Sequence, residues 1–271
     1  MGDGRAEDIG DIAERIHRAI AEGQTLARPL VSGGFDLATA YRLSARVAAL
    51  REAEGERRVG RKFGFTNRSI WPLYGVSTAI FGDMFDTTVT LTEGAGEVGI
   101  ARLAEPRLEP EIVLGLAEAP SPGMTPRDLE GVVAWVAIGA EIVQSVYPGW
   151  RFEAPEAAAA GSLHGRLVVG RPVRPRDEGF GELLARLADV ERVVSRGNEE
   201  IARGVGRNAL GGPLAALAHV VGLIAEHPDH PPIALGEIVT TGTLTDAWPI
   251  AAGERWTIAA SDDVLPPLEV A

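Results

Sequence analysis

Leu108-Glu109-Pro110-Glu111-Ile112-Val113-Leu114 alternates acidic and apolar residues like a strand with two different faces. Side chains at i and i+2 share a face of an extended chain. Glu109 and Glu111 therefore project together, while Leu108, Ile112 and Leu114 turn the opposite way into a core. Like charges at that spacing repel unless a cation or a proton sits between them, so the pair is a candidate hard-cation site. Two solvated glutamates on an outer strand face would give the same pattern. Pro110 cannot donate to a ladder and points to an edge or a bulge.

A third acid, Glu141, closes the apolar run Val-Val-Ala-Trp-Val-Ala-Ile-Gly-Ala that begins at Val132. A carboxylate there is either exposed beyond the end of its element or buried with a partner. With Glu109 and Glu111 it would complete an oxygen-rich set suited to magnesium or manganese with open water positions. Upstream, Val59, Arg61, Phe63 and Phe65 alternate with Gly60, Lys62, Gly64 and Thr66. Lys62 thus lies between two glycines on its own face, which would leave room for a group to approach the ammonium. A solvent-facing strand lysine is the plainer alternative.

Further out, Ile9, Ile12, Ile16 and Ile20 recur at helical spacing over residues 6–22. Asp36 is placed to cap a second helix running to about residue 55. These form an N-terminal helical layer, residues 1–57, ahead of a β-rich unit, residues 58–271, the two expected to make one compact body. Within that unit, Leu187 to Gly204 reads as a hairpin turning at Gly197-Asn198, and Pro213 opens a helix to about residue 226. Two last strands are expected over Leu235–Thr243 and Arg255–Ser261. The alanine run 157–160 has no clear assignment.

Composition narrows the chemistry. The 271 residues are 45% hydrophobic and 24% charged, as in an ordinary globular domain. Acidic residues outnumber basic ones 38 to 26, a net −12, which argues against a nucleic-acid or anionic-membrane partner. With no cysteine, disulfides, thiolate zinc sites, iron–sulfur clusters and cysteine nucleophiles are excluded. The first eight residues hold no apolar run, and Val132–Val143 is too short to span a bilayer, so a cytoplasmic protein is expected.

Seven motifs occur in order: Gly60-Arg-Lys-Phe-Gly-Phe-Thr66, Ile80-Phe-Gly-Asp-Met-Phe-Asp86, the Leu108 and Glu141 stretches, Gly206-Arg-Asn-Ala-Leu-Gly-Gly-Pro-Leu214, Ile238-Val-Thr-Thr-Gly-Thr243 and Ala252-Gly-Glu-Arg-Trp256. Together they resemble the 2-keto-4-pentenoate hydratase and 4-oxalocrotonate decarboxylase branch of the fumarylacetoacetate hydrolase superfamily. The resemblance runs from about residue 35 to 262. It implies an α+β fold with a mixed, roll-like sheet. It also implies a divalent metal, Mg2+ or Mn2+, on Glu109, Glu111 and Glu141, with Lys62 beside a small 2-oxo acid or its 2-hydroxydienoate enol. Asp86 matches an acidic position near that lysine in some relatives; a turn-capping aspartate is its alternative.

Hydration is the expected reaction. Decarboxylation of a 4-oxalocrotonate-type acid comes second, then carbon–carbon hydrolysis of an acylpyruvate, then a non-catalytic partner subunit. Homo-oligomers are known for the family. One departure stands out: Ala160 and Gly161 occupy positions where relatives carry Asp and Asn, and Ser162 and His164 are the residues that could compensate. The stretch from Trp150 to His164 is expected at the far end of the substrate. Its basic candidates, Arg151, His164 and the following Arg166, are few, so a monocarboxylate is expected to be preferred.

Overall fold

The acidic stretch lies within strand β5, Arg107–Leu116, in a computed structural model that describes residues 8–28, 30–31, 34–260 and 265–271. The expected helix residues 6 and 7, and Ser261 at the end of the last strand, lie outside the described residues. Leu108, Ile112 and Leu114 are fully buried in the main core, as their alternation requires.

The strands preceding β5 are β1 (Arg58–Gly64), β2 (Ile80–Phe85), β3 (Val89–Leu91) and β4 (Ala95–Gly96). Those following are β6 (Val133–Val143), β7 (His164–Val169), β8 (Glu191–Arg196), β9 (Glu199–Val205), β10 (Ile238–Thr240), β11 (Trp248–Pro249), β12 (Trp256–Ala260) and β13 (Leu268–Val270). The larger sheet runs β2-β1-β10-β5-β6-β7-β3, with β11 also paired to β5. Its β1–β10 and β3–β7 pairs are parallel and the others antiparallel, which makes it mixed. A second sheet runs β4-β13-β12-β8-β9 and contains the expected hairpin.

Helix α1 (Ile9–Glu22) starts at Asp8, whose side chain accepts from Gly10 N, and α2 (Leu37–Ala53) starts at Asp36, which accepts from Thr39 N at 2.8 Å. The two pack on each other, and α2 also packs on the alanine run, which forms helix α5. In chain order the later helices are α3 (Trp71–Tyr74), α4 (Pro126–Glu130), α5 (Ala154–Ala159), α6 (Phe180–Arg186) and α7 (Pro213–Ala225). By length and composition alone, the helical run Gly206–Ala225 would suit a membrane span. Its α7 part instead buries Leu214, Leu217, Val220, Val221 and Ile224 in the core.

Two expectations need correction. β5 is not an edge: it lies between β10 and β6. Pro110 is tolerated because β10 pairs only with residues 113–115 and β11 only with 107–108, which leaves a gap beside the proline. The expected strand 235–243 is accordingly shortened to Ile238–Thr240, and the chain beyond it crosses that gap. There Thr241 N donates to Ile112 O at 3.2 Å and Leu244 N to Pro110 O at 3.1 Å.

Candidate active site

The pairing of β5 with β6 sets Glu109 opposite Glu141 and Glu111 opposite Gly139. Adjacent strands and the shared face bring one carboxylate oxygen from each of Glu109, Glu111 and Glu141 within 4.8 Å of one another. Further along the same face of the larger sheet, Met84, Val113, Ala137, Leu167, Val169 and Ile238 form a separate apolar cluster.

Lys62 reaches the same point from β1. Its Nζ donates to Glu109 Oε2 at 3.1 Å and to Glu141 Oε2 at 2.9 Å, with the lysine side chain only 4% exposed. Burial alone would strip the proton from Lys62, but the charges of Glu109, Glu141 and Glu111 outweigh it and hold the ammonium well above its usual range. Three carboxylates less one ammonium leave a formal −2 at a buried point. Burial first, then repulsion from Glu141, pushes the Glu111 carboxyl well above the usual range. Burial acts the same way on Glu141, yet Lys62 and His164 hold it below that range.

Glu111 is the informative member. Its Oε2 accepts from Gly242 N at 2.7 Å, while its Oε1 is buried with no hydrogen-bond partner among the described residues. Gly242 has φ 102°, and a Cβ there would lie 1.7 Å from Thr66 Oγ1, so only glycine can bring this N–H to the carboxylate. With all three acids ionised the formal charge is −2, and an orphaned carboxylate oxygen there fits a divalent cation in both charge and donor type, where a proton on Glu111 would otherwise relieve the repulsion.

The cluster opens on a cavity of about 460 Å³ whose wall includes Lys62, Glu109, Ser162, Thr243, Trp248 and Arg107. Ser162 belongs to a left-handed run, Gly161 (φ 64°), Ser162 (φ 57°) and Leu163 (φ 64°). Its hydroxyl is buried and has no hydrogen-bond partner among the described residues. The glycines beside Lys62 do not leave open space as expected: the Ile238 carbonyl occupies the room beside Gly60, and Ser162 Oγ the room beside Gly64.

Three residues expected at the substrate lie elsewhere. Asp86 sits at the far end of the β1–β2 hairpin, where its carboxylate accepts from Arg57 N (3.0 Å) and Arg57 Nε (2.9 Å), as a turn cap does. Arg151 is exposed and does not line the cavity. His164 is buried behind the cluster, with Nδ1 2.8 Å from Glu141 Oε1 and Nε2 2.9 Å from Thr88 Oγ1. An ionised carboxylate only accepts, so Nδ1 carries the proton toward Glu141, while Nε2 lies beside a Thr88 hydroxyl that also donates to Phe85 O at 2.9 Å. Burial holds the ring below its usual pKa against the pull of Glu141, so this neutral form orients the carboxylate.

Sequence reasoning missed Arg107, Gly242 and Thr88. Arg107 was findable: it stands two residues before Glu109 and so shares the face of both glutamates. Gly242 lies within the Ile238–Thr243 motif, but nothing local aims its amide at Glu111, and Thr88 carries no pattern of its own.

No family model matches the chain. It is 32% identical over 241 residues to 2-keto-4-pentenoate hydratase of Burkholderia vietnamiensis, covering 87% of each chain. To 2-hydroxyhexa-2,4-dienoate hydratase of Comamonas testosteroni it is 28% identical over 246 residues, covering 90% of each. Its fold superposes on 4-oxalocrotonate decarboxylase from Pseudomonas putida G7, complexed with magnesium and adipate. There the TM-score is 0.87 at 24% identity, with 97% of this chain and 96% of the other covered. With the cluster, the mixed sheet and this coverage agreeing, the chain belongs to the 2-keto-4-pentenoate hydratase and 4-oxalocrotonate decarboxylase branch of the fumarylacetoacetate hydrolase superfamily.

Proposed function

We propose that the chain is a divalent-metal-dependent lyase that hydrates a small 2-hydroxydienoate, the enol form of a 2-oxo acid. The observation that carries this is the buried cluster of formal charge −2 with its orphaned Glu111 oxygen, beside a cavity that Lys62 and Glu109 line. Glu109, Glu111 and Glu141 would hold magnesium or manganese. Such an ion supplies Lewis-acid polarisation of a 2-oxygen and charge stabilisation of an enolate. The magnesium named with the P. putida structure and the dienoate named with the C. testosteroni enzyme support that choice.

The protein groups have separate tasks. An ammonium has three donors, and Lys62 engages two on Glu109 and Glu141, which leaves one for a substrate oxygen or a proton transfer. The unpartnered Ser162 hydroxyl is available to a second substrate oxygen. Water that adds to the conjugated chain enters from the open side of the cavity. Decarboxylation, the reaction named for the P. putida structure, would use the same enolate, and carbon dioxide release separates the two. An intact cluster with its lysine argues against a non-catalytic partner subunit. A cytoplasmic homo-oligomer completes the proposal.

Glu111→Gln tests the assignment, because it keeps the Gly242 contact and removes one charge. Calorimetry should show Mg2+ affinity falling at least about tenfold, and ultraviolet turnover of 2-hydroxypenta-2,4-dienoate should collapse with it. Unchanged Mg2+ affinity would refute the ligand set. Stoichiometric carbon dioxide from a dicarboxylate, with no hydration, would replace hydratase by decarboxylase.

A further inference from the structure

We infer that Arg107 recognises a carboxylate at the end of the substrate remote from the acidic cluster, so that the preferred substrate is a dicarboxylate. This rests on the reading of the cluster as a 2-oxo-acid site and extends it to the substrate's far end. It also reverses the monocarboxylate preference expected from Arg151, His164 and Arg166, none of which lines the cavity.

Arg107, Glu109 and Glu111 stand at i, i+2 and i+4 on one face of β5. Burial relaxes along that row, from fully buried Glu111 to partly exposed Glu109 and Arg107. A substrate anchored at the glutamates and extending toward solvent therefore passes the arginine. By strand rise, Arg107 and Glu111 are roughly 13 Å apart at their Cα atoms, within reach of a short acid once both side chains lean inward.

The arginine is held for this task. Its guanidinium carbon lies 4.2 Å from the Trp150 ring centroid. Stacking engages the face of a guanidinium and leaves its in-plane N–H donors for a carboxylate. Among the described residues no carboxylate lies within ion-pair distance of Arg107, although Asp246 also lines the cavity. The ring is fixed at a conformational cost. Trp150 (φ 57°) and Glu105 (φ 47°) both adopt left-handed backbone, which is rare for such side chains. They lock together through Trp150 Nε1 to Glu105 O (2.9 Å) and Gly149 N to Glu105 Oε1 (2.9 Å). Strain held by two hydrogen bonds to place one ring under one cation marks a built feature of the cavity.

The same contact bears on the reaction. Losing the far carboxylate as carbon dioxide breaks its bond to the chain and passes the electron pair, with its charge, into the dienolate. An arginine on that carboxylate stabilises the charge where it starts and so opposes the loss. Hydration keeps both carboxylates and is unaffected.

Two saturated probes that cannot be hydrated, 2-oxoadipate and 2-oxohexanoate, differ only in the far carboxylate. By calorimetry with Mg2+ present, the protein should bind 2-oxoadipate on the order of 10- to 100-fold more tightly. Arg107→Met should abolish that difference while leaving 2-oxohexanoate within about twofold. Arg107→Lys, which keeps charge but not the planar fork, should retain only part of it. With turnover, the same loss should appear in KM for the dicarboxylate dienoate and leave the monocarboxylate unchanged. Equal binding of the two probes by the unmodified protein, or an equal loss of both in Arg107→Met, would overturn the inference. Failure of both probes to bind at all would instead count against the 2-oxo-acid site itself.

Discussion

Lys62 is the residue on which most of the site's electrostatics converge. Its neighbours keep it charged despite near-complete burial, so removing the ammonium changes the formal charge of the cluster from −2 to −3. Lys62→Met keeps the stem and deletes the charge. We expect kcat/KM to fall on the order of 10²-fold or more, with Mg2+ binding retained or tightened by the uncompensated carboxylates. A calorimetric titration beside steady-state turnover reads both quantities. Near-normal turnover would reduce Lys62 to a structural counter-ion of Glu109 and Glu141.

At the level of elements, the left-handed run 161–163 fits against β1 with no room to spare. A Cβ on Gly64 would lie 2.4 Å from Ser162 Oγ and 3.0 Å from an Ile80 carbon. Gly64→Ala must therefore push Ser162 out of its position. The expected result is a destabilisation of about 1–3 kcal/mol and a kcat/KM loss of roughly tenfold. Ser162→Ala should lose similar activity while keeping its Tm, which separates the hydroxyl's role from the packing. A Gly64→Ala variant with full activity would remove Ser162 from the site. The sequence carried β5, both N-terminal helices with the Asp36 cap of the second, the hairpin and α7, because each follows from periodicity or local capping chemistry. It did not carry the crossing segment after Thr240, because the partners that end β10 lie more than a hundred residues upstream. Arg107 lies outside the Trp150–His164 stretch in which the basic candidates were expected, and only the face it shares with Glu109 marks it.

Across the whole molecule, a second buried set of charges ties β1 and β2 to the segment before β10. Asp83 lies 3.1 Å from Arg58 and 3.2 Å from Arg61; Arg61 also reaches Glu237 at 2.9 Å and is fully buried. Burial would raise the Asp83 carboxyl, but His230, Arg61 and Arg58 together hold it below its ordinary value of 3.8. A depressed carboxylate contributes its stability above the unfolded value and loses it as pH falls through the folded one. The contribution is thus full at neutral pH and disappears below pH 3.8. Asp83→Asn should cost about 3 kcal/mol at pH 7 in urea unfolding, and the difference from the parent should shrink in acid below that value. A loss independent of pH would assign the effect to packing. The helical layer joins the same body: Leu26 N donates to Val146 O at 2.6 Å and Arg28 pairs with Glu156 at 2.6 Å. These links support treating residues 1–57 and 58–271 as one folding unit, which limited proteolysis would check by the absence of a stable fragment.

Pro110 has a consequence for how the site exchanges with solvent. A strand position without an N–H cannot be reclaimed by a neighbouring ladder, so the larger sheet keeps a window between β10 and β11. The chain that fills this window supplies the Gly242 amide to Glu111, and its own backbone is tied to β5 there by the Thr241 and Leu244 bonds. Hydrogen exchange at that amide is therefore a clock for the site. Exchange faster than at the β5 ladder amides is the expected result, and anything that settles onto Glu111 should slow it.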